Sequence, residues 1–118
     1  MRADLADVAF APSSFDAAIA FDSIWHVPHQ EHPCVFANLR EWLVDGAVAL
    51  ITLAAAPDGK GELFTHLLGA PIYYDARPVE KSLQVLRAAG FSVLDHHMEP
   101  VSATRPLSGH LMVLVEAA

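Results

Sequence analysis

The sequence predicts an α/β fold whose strands and helices follow one another in the order β-α-β-α-β-β. Two short apolar runs, Phe15 to Phe21 and Ala47 to Ala55, lie on either side of a stretch with helical periodicity. Two further strand-like segments end the chain and have only a short polar connection between them. Apolar strands that alternate with amphipathic helices are typical of a sheet covered by helices.

The first strand and the first helix are separated by a loop rich in proline and histidine. Phe15 to Phe21 (FDAAIAF) is mostly apolar between polar flanks, which suits a strand buried on both faces. The helix is expected from about His29 or Pro33 to Val44, because proline is tolerated only in a loop or in the first helical turn. Its apolar stripe comprises Val35, Phe36, Leu39, Trp42 and Leu43.

The second strand follows this helix closely. Asp45-Gly46 is expected to end the helix, and Ala47 to Ala55 (AVALITLAA) is again apolar on both faces. A strand, a helix and a second doubly buried strand make a βαβ unit. The two strands are therefore predicted to be parallel, with a right-handed crossover.

The rest of the chain is predicted to hold a second long helix and a hairpin. Pro57 to Gly61 indicates a flexible connection, and a short helix is predicted over Glu62 to Leu68. Pro78 begins the second long helix and Gly90 ends it. The polar stretch Ser102 to Pro106 is short, so the strands that it joins should be antiparallel. These strands are predicted over Phe91 to Val101 and Leu107 to Glu116.

The composition fits one compact domain. The chain has 118 residues, of which 53% are apolar, and a net charge of −7. A chain of this size buries roughly 65% of its unfolded surface. The negative charge argues against nucleic acid or an anionic membrane as a partner, since proteins bind both through positive charge. The single cysteine excludes an internal disulfide and any zinc module that needs two cysteines.

The sequence shows no membrane or secretion signal. No apolar run approaches the roughly 20 residues that cross a bilayer. Asp4 and Asp7 interrupt what would be the apolar part of a secretion signal. We therefore predict a cytoplasmic protein whose partners are small molecules or proteins.

Three segments carry a resemblance to a known family. Ser14-Phe15-Asp16 matches a strand entry "sFD", Leu43 to Ala47 matches an "LkPGG" turn, and Leu86 to Phe91 matches an "LxxAGF" segment. The turn departs from the pattern at Asp45 and Ala47, which replace Pro and Gly. In this order the segments resemble class I S-adenosylmethionine-dependent methyltransferases of the small-molecule type. The resemblance implies a Rossmann-like sheet, S-adenosylmethionine as cofactor and methyl transfer to a small-molecule acceptor.

The resemblance covers only the carboxyl-terminal half of that family's domain. Family members bind the methionine part of the cofactor with a glycine-rich turn after their first strand, and no G-x-G-x-x-G or similar turn occurs in this sequence. Three βα units of roughly 30 residues each would be missing, or about 90 residues. We therefore expect a partial sheet that is inactive or incomplete on its own, with weak or no cofactor binding.

The resemblance also implies site residues. Asp4 and Leu5 correspond to the contact with adenine, and Asp22 and Ser23 lie at a strand end where cofactor contacts are expected, although Asp22 is equally suited to capping the turn. His26 is the candidate general base, because imidazole titrates near neutral pH; a histidine that only packs in the loop is the alternative. Substrate contacts are assigned to Trp25, Tyr73 and Tyr74, and aromatic packing is an equal alternative for the two tyrosines.

The histidine-rich loop contains residue types that bind metal ions. His26, His29, His32 and Cys34 have the spacing H-x2-H-x2-H-x-C. Prolines at 28 and 33 break any helix that would bring all three imidazoles to one face. We therefore assign no metal ligand and interpret the segment as a solvated loop.

The first strand is predicted to lack a neighbouring strand along one of its two edges. In the family it pairs with the first strand of the domain, which this sequence does not contain. An exposed apolar edge favours pairing with another chain, so we expect a homodimer that completes the sheet. The alternative function is a non-catalytic oligomerisation or interaction module derived from a methyltransferase.

Overall fold

The computed structural model has a mixed sheet with two helices packed on one of its faces. It describes residues 8–21, 23–57, 61–64, 72–103 and 105–118. The helices in this part of the chain are α1 (His32–Trp42) and α2 (Val79–Ala88). The strands are β1 (Phe15–Ala20), β2 (Leu43–Ala55), β3 (Gly61–Phe64), β4 (Ile72–Arg77), β5 (Phe91–Ser102) and β6 (Arg105–Ala117).

The central strand of the sheet is β2. Along one edge it pairs antiparallel with β6 from Val48 to Ala55, and β6 pairs antiparallel with β5. Along the other edge it pairs in parallel with β1 and then, at its last two paired residues, with β4. The predicted parallel pair and the predicted terminal hairpin are both confirmed.

Both helices cover the same face of the sheet. Phe36 of α1 and Leu86 of α2 are completely buried in one apolar cluster with alternate residues of the two central strands. The strand residues of this cluster include Ala49, Ile51, Leu53, Leu111, Val113 and Val115. Each large side chain buried in this way stabilises the fold by about 1.5–3 kcal/mol. Neither helix has the length and apolar character of a membrane span, in the part of the chain described.

The opposite face, which we call the open face, carries the intervening residues of the same strands. Ile19 of β1, Leu50 of β2 and Leu114 of β6 lie side by side across it. Ile19 is 74% exposed, and Val48 and Met112 on neighbouring positions are also exposed. A shallow depression of about 180 Å³ lies between Leu50, Met112, Leu114 and residues 95–97. The open face is thus an apolar surface that no described helix covers.

Strand β1 differs from its prediction in burial. Its residues were expected to be buried on both faces, but Phe15 and Ile19 are exposed and only Ala18 and Ala20 are half-buried against the core. The reason is that α1 and α2 cover one face only, and that β1 pairs with β2 alone among the described strands. The expectation of an unpaired apolar edge is consistent with this arrangement.

Several predicted boundaries are wrong. The first helix ends at Trp42 rather than at Val44, and Gly46 lies within β2 at a φ of +83°, where the register of the β1–β2 pair shifts. Residues 61–64 of the segment predicted as a connection and a short helix form strand β3 instead. This segment pairs antiparallel with β4, so its backbone groups are bonded across a hairpin. The remainder of that predicted helix, residues 65–68, lies outside the described residues. Gly90 does end α2, with a φ of +102°.

Gly109 offers a test of the packing between β5 and β6. A Cβ atom at this position would collide with the carbonyl oxygen of Glu99 and with Pro100 Cα. We expect Gly109→Ala to lower the free energy of unfolding by about 3 kcal/mol, the upper end for overpacking, in urea titrations followed by circular dichroism. Gly46→Ala is the control, because nothing lies within 4 Å of its new Cβ and only the positive φ costs about 1 kcal/mol. An equal loss in both variants would contradict this account.

Candidate functional site

The candidate site is a histidine-rich segment at the carboxyl end of β1, which we call the histidine loop (residues 23–31). Two 3-10 turns, Ile24–His26 and His29–Glu31, build the loop, and Pro28 lies between them. The loop runs directly into α1 and packs against β4 and the end of β2. Ligands of open α/β sheets bind outside the carboxyl ends of the strands. The loop therefore occupies the part of the fold where a ligand is expected.

Trp25 holds the first turn of the loop on the sheet. Its side chain is buried against three alanines at the ends of β2 and β4, and its ring lies 4.8 Å from that of His110. The indole Nε1–H donates a hydrogen bond of 3.0 Å to Nε2 of the exposed His26. Since Nε2 accepts this hydrogen bond, its lone pair is engaged and the proton of a neutral His26 ring belongs on Nδ1.

Asp75 holds the second turn of the loop. Oδ2 of this carboxylate accepts the backbone N–H of His29 at 2.7 Å and its ring Nδ1–H at 2.9 Å. The Asp75 side chain is fully buried, whereas the His29 side chain is 31% exposed. Two bonds to one oxygen fix both the backbone and the ring of His29. They also place its ring proton on Nδ1 and leave Nε2 as the unprotonated nitrogen.

His32 fastens the loop to the start of α1. It is buried, and its Nε2–H donates to the backbone oxygens of Val27 at 2.9 Å and Ile24 at 3.3 Å. Burial lowers the pKa of His32 below 6.5; the two backbone bonds and the charge of Asp75 oppose this effect. The neutral imidazole is therefore a structural part of the loop.

The structure brings some of the sequence-predicted site residues together. Trp25 and His26 are in contact, and the half-buried Ser23 precedes them without a side-chain capping bond. Tyr73 and Tyr74 lie in β4, where they pair with Leu63 and Glu62 of β3. Asp4, Leu5 and Asp22 lie outside the described residues.

The two histidines of the loop and His32 at the start of α1 do not converge on a common site. His26, His29 and His32 each bond a different group, namely an indole, a carboxylate and two backbone carbonyls. Within residues that the structure describes, no three His, Cys, Asp or Glu side chains form a group that could hold a metal ion.

The sequence interpretation missed the pair of His29 and Asp75. These residues are 46 positions apart, and Asp75 lies in a strand that was not predicted. The available signal was the β-prone segment Ile72 to Tyr74, with prolines at 71 and 78 on its flanks.

No family model matches the sequence, and no curated protein matches it. Solved structures do match the fold. A methyltransferase from Methanosarcina mazei, described as S-adenosylmethionine-dependent, is 13% identical with a TM-score of 0.79; the match covers 97% of this chain and 64% of that one. The 1,6-didemethyltoxoflavin-N1-methyltransferase of Burkholderia thailandensis, solved with its namesake ligand and S-adenosylhomocysteine, is 18% identical with a TM-score of 0.72 over 98% of this chain and 49% of that one.

This chain therefore has part of the fold of S-adenosylmethionine-dependent methyltransferases, as the sequence resemblance predicted. It spans about half to two thirds of the length of these solved chains. The [4+2]-cyclase SpnF also matches, with 16% identity and a TM-score of 0.67 over 97% of this chain and 53% of that one. The same fold thus hosts a second reaction, and the fold by itself does not determine the chemistry.

The buried His32 predicts a pH dependence of stability. Because the pKa of His32 is lower in the folded state, the unfolded chain binds the proton first as the pH falls below 6.5. The free energy of unfolding should therefore fall from pH 7 downward, by at most about 1.4 kcal/mol per pH unit from this group, until the folded pKa is reached. In urea titrations at several pH values, the free energy of unfolding of His32→Gln should fall less steeply with decreasing pH than that of the parent chain. The control His96→Gln alters an exposed histidine and should show the same fall as the parent chain. Identical profiles for His32→Gln and the parent chain would contradict this assignment.

Proposed function

We propose that this chain forms one side of an S-adenosylmethionine-dependent methyltransferase site that acts on a small-molecule acceptor. The observation that carries the proposal is the match of almost the whole chain to solved methyltransferases, at TM-scores of 0.72 and 0.79. The histidine loop supports it, because it lies at the sheet edge where ligands of this fold class bind. A cytoplasmic location and the absence of nucleic-acid partners remain predictions from composition.

The residues present fit the cofactor in part. Ser23 offers a hydroxyl at the sheet edge, and Trp25 and His26 follow it with an apolar ring and an imidazole. The sequence offers no glycine-rich turn for the methionine part, so we propose that residues other than these 118 supply the opposite side of the site. Asp4, Leu5 and Asp22 are proposed contacts from the resemblance alone.

When bound, S-adenosylmethionine supplies an electrophilic methyl group, and the protein positions the acceptor and removes its proton. His26 is the proton acceptor that the resemblance implies. In the observed conformation its Nε2 already accepts the indole N–H of Trp25. To remove a proton, His26 must first exchange this bond for one from the acceptor. Trp25, Tyr73 and Tyr74 remain the proposed contacts of the acceptor.

Binding of S-adenosylhomocysteine to the chain tests the proposal. One side of a site should bind weakly, with a dissociation constant in the millimolar range, and the ligand should shift the backbone amide NMR signals of Ser23, Trp25 and His26. Ser23→Ala should reduce these shifts, whereas Ser92→Ala, at an exposed position of β5, should not. The absence of loop shifts would contradict the cofactor proposal. Micromolar affinity in calorimetry would contradict the proposal that a second side is required.

A second candidate function is supported by the apolar surface around β1. The free edge of this strand and the open face beside it expose Phe15, Ile19 and Val48, and only Asp16 of β1 carries a charge. An apolar edge with few charges favours pairing with another strand. We propose, as the alternative, that the chain is a non-catalytic module that forms homodimers through this edge.

Sedimentation equilibrium distinguishes this alternative. The chain should be a dimer at high micromolar concentration, and Ile19→Lys should make it monomeric, because it places a charge beside the free edge of β1. Leu94→Lys is the matched control, since Leu94 is 51% exposed on β5 at the other edge of the sheet. A monomeric parent chain, or equal effects of the two lysine variants, would defeat the homodimer.

A further inference from the structure

We infer that His29, oriented by Asp75, is the proton acceptor of the candidate site in place of His26. This inference rests on the proposed function, because it assigns a role in methyl transfer. It concerns a residue pair that the sequence resemblance did not indicate, and the geometry of the pair carries it.

The two histidines differ in whether the lone pair of their basic nitrogen is engaged. Nε2 of His26 accepts the indole N–H of Trp25 at 3.0 Å, so its basic nitrogen is already bonded. Nδ1–H of His29 donates to Asp75 Oδ2 at 2.9 Å. No described residue hydrogen-bonds Nε2 of His29. His29 is thus the loop histidine whose unprotonated nitrogen is available.

Asp75 also fixes the orientation of the His29 ring. The carboxylate that bonds Nδ1 of His29 is completely buried and also accepts the backbone N–H of the same residue, at 2.7 Å. Rotation of the His29 side chain about its own bonds would therefore break the hydrogen bond between Nδ1 and the buried carboxylate. A carboxylate behind Nδ1 fixes the tautomer of a histidine and stabilises the imidazolium that forms when Nε2 takes a proton.

The His29 ring is accessible from solvent. The His29 side chain is 31% exposed, although its partner is buried, and the residue begins the second turn of the loop at the carboxyl edge of the sheet. The carboxylate is therefore the buried member of the pair, and the imidazole is the partly exposed one. An acceptor molecule at this edge approaches the imidazole from the solvent side.

The proton transfer balances with the methyl transfer. The acceptor atom donates one electron pair to form its bond with the methyl group. It also gives its proton to Nε2 of His29 and keeps the electron pair of the broken bond to hydrogen, so its charge is unchanged overall. The sulfonium of the cofactor keeps the electrons of its broken S–CH₃ bond and leaves as a thioether. His29 ends as an imidazolium beside the Asp75 carboxylate and returns the proton to water.

Carbethoxylation of the chain by diethyl pyrocarbonate, mapped by mass spectrometry, tests the assignment without knowledge of the acceptor. The reagent attacks an unprotonated imidazole nitrogen. We expect His29 to react faster than His26, with the exposed His96 as internal reference. Asp75→Asn should lower the rate of carbethoxylation of His29 by about tenfold and leave the rate at His96 unchanged. Tenfold is the lower end of the effect of removing the hydrogen-bond partner of a functional histidine. Trp25→Phe should accelerate His26 alone.

Two results would overturn the assignment: a slower reaction of His29 than of His26, or an unchanged rate of His29 in a folded Asp75→Asn variant. If that variant does not fold, long-range ¹H–¹⁵N spectra of the parent chain decide, since the assignment requires a proton on Nδ1 and none on Nε2 of His29. Binding of S-adenosylhomocysteine is measured separately. A reactive His29 without cofactor shifts in the loop would refute the proposed function and leave the geometry of the pair intact.

Discussion

Strand β2 is the element on which the rest of the structure depends. It bonds β6 along one edge and both β1 and β4 along the other, so three strands take their positions from one. Its side chains are buried almost without interruption from Ile51 to Ala56, which is the pattern of a strand in the middle of a sheet. The histidine loop follows β1, and Asp75 lies in β4. Both parts of the candidate site are therefore aligned through hydrogen bonds to the same strand.

The alternation of side chains along β2 also shows which face of the sheet the two described helices cover. Ala49, Ile51 and Leu53 face the two helices, whereas Val48 and Leu50 face the open side. A parallel pair of strands is ordinarily covered on both faces, because its crossover connections place helices there. In this chain α1 and α2 lie on the same face. The apolar residues Ile19, Val48 and Leu50 consequently lie on a face that neither of these helices covers.

The sequence was sufficient where local pattern and tertiary structure agree. The apolar run at 47–55, the stop at Gly90 and the short connection near residue 103 led to the parallel pair, the end of α2 and the terminal hairpin, all of which the structure contains. The sequence was insufficient where residues distant in the chain determine the local structure. A four-residue strand such as Gly61–Phe64 has too few positions for a periodic signal, and its partner β4 defines it. The exposure of Phe15 likewise depends on what covers β1, which its own composition does not encode.

The same distinction applies within the candidate site. Trp25 and His26 are adjacent in the chain, so a local motif suffices to select them both, and their hydrogen bond joins neighbours. The pair of His29 and Asp75 exists only because β4 pairs with the end of β2 and brings a carboxylate beneath the loop. A charged group at 0% exposure is costly unless it is well bonded. The two bonds from His29 offset this cost, and the same two bonds give its imidazole a fixed tautomer and direction. The two bonds that hold the buried carboxylate are thus the same bonds that would orient His29 for the proposed proton transfer, and local sequence patterns cannot reveal them.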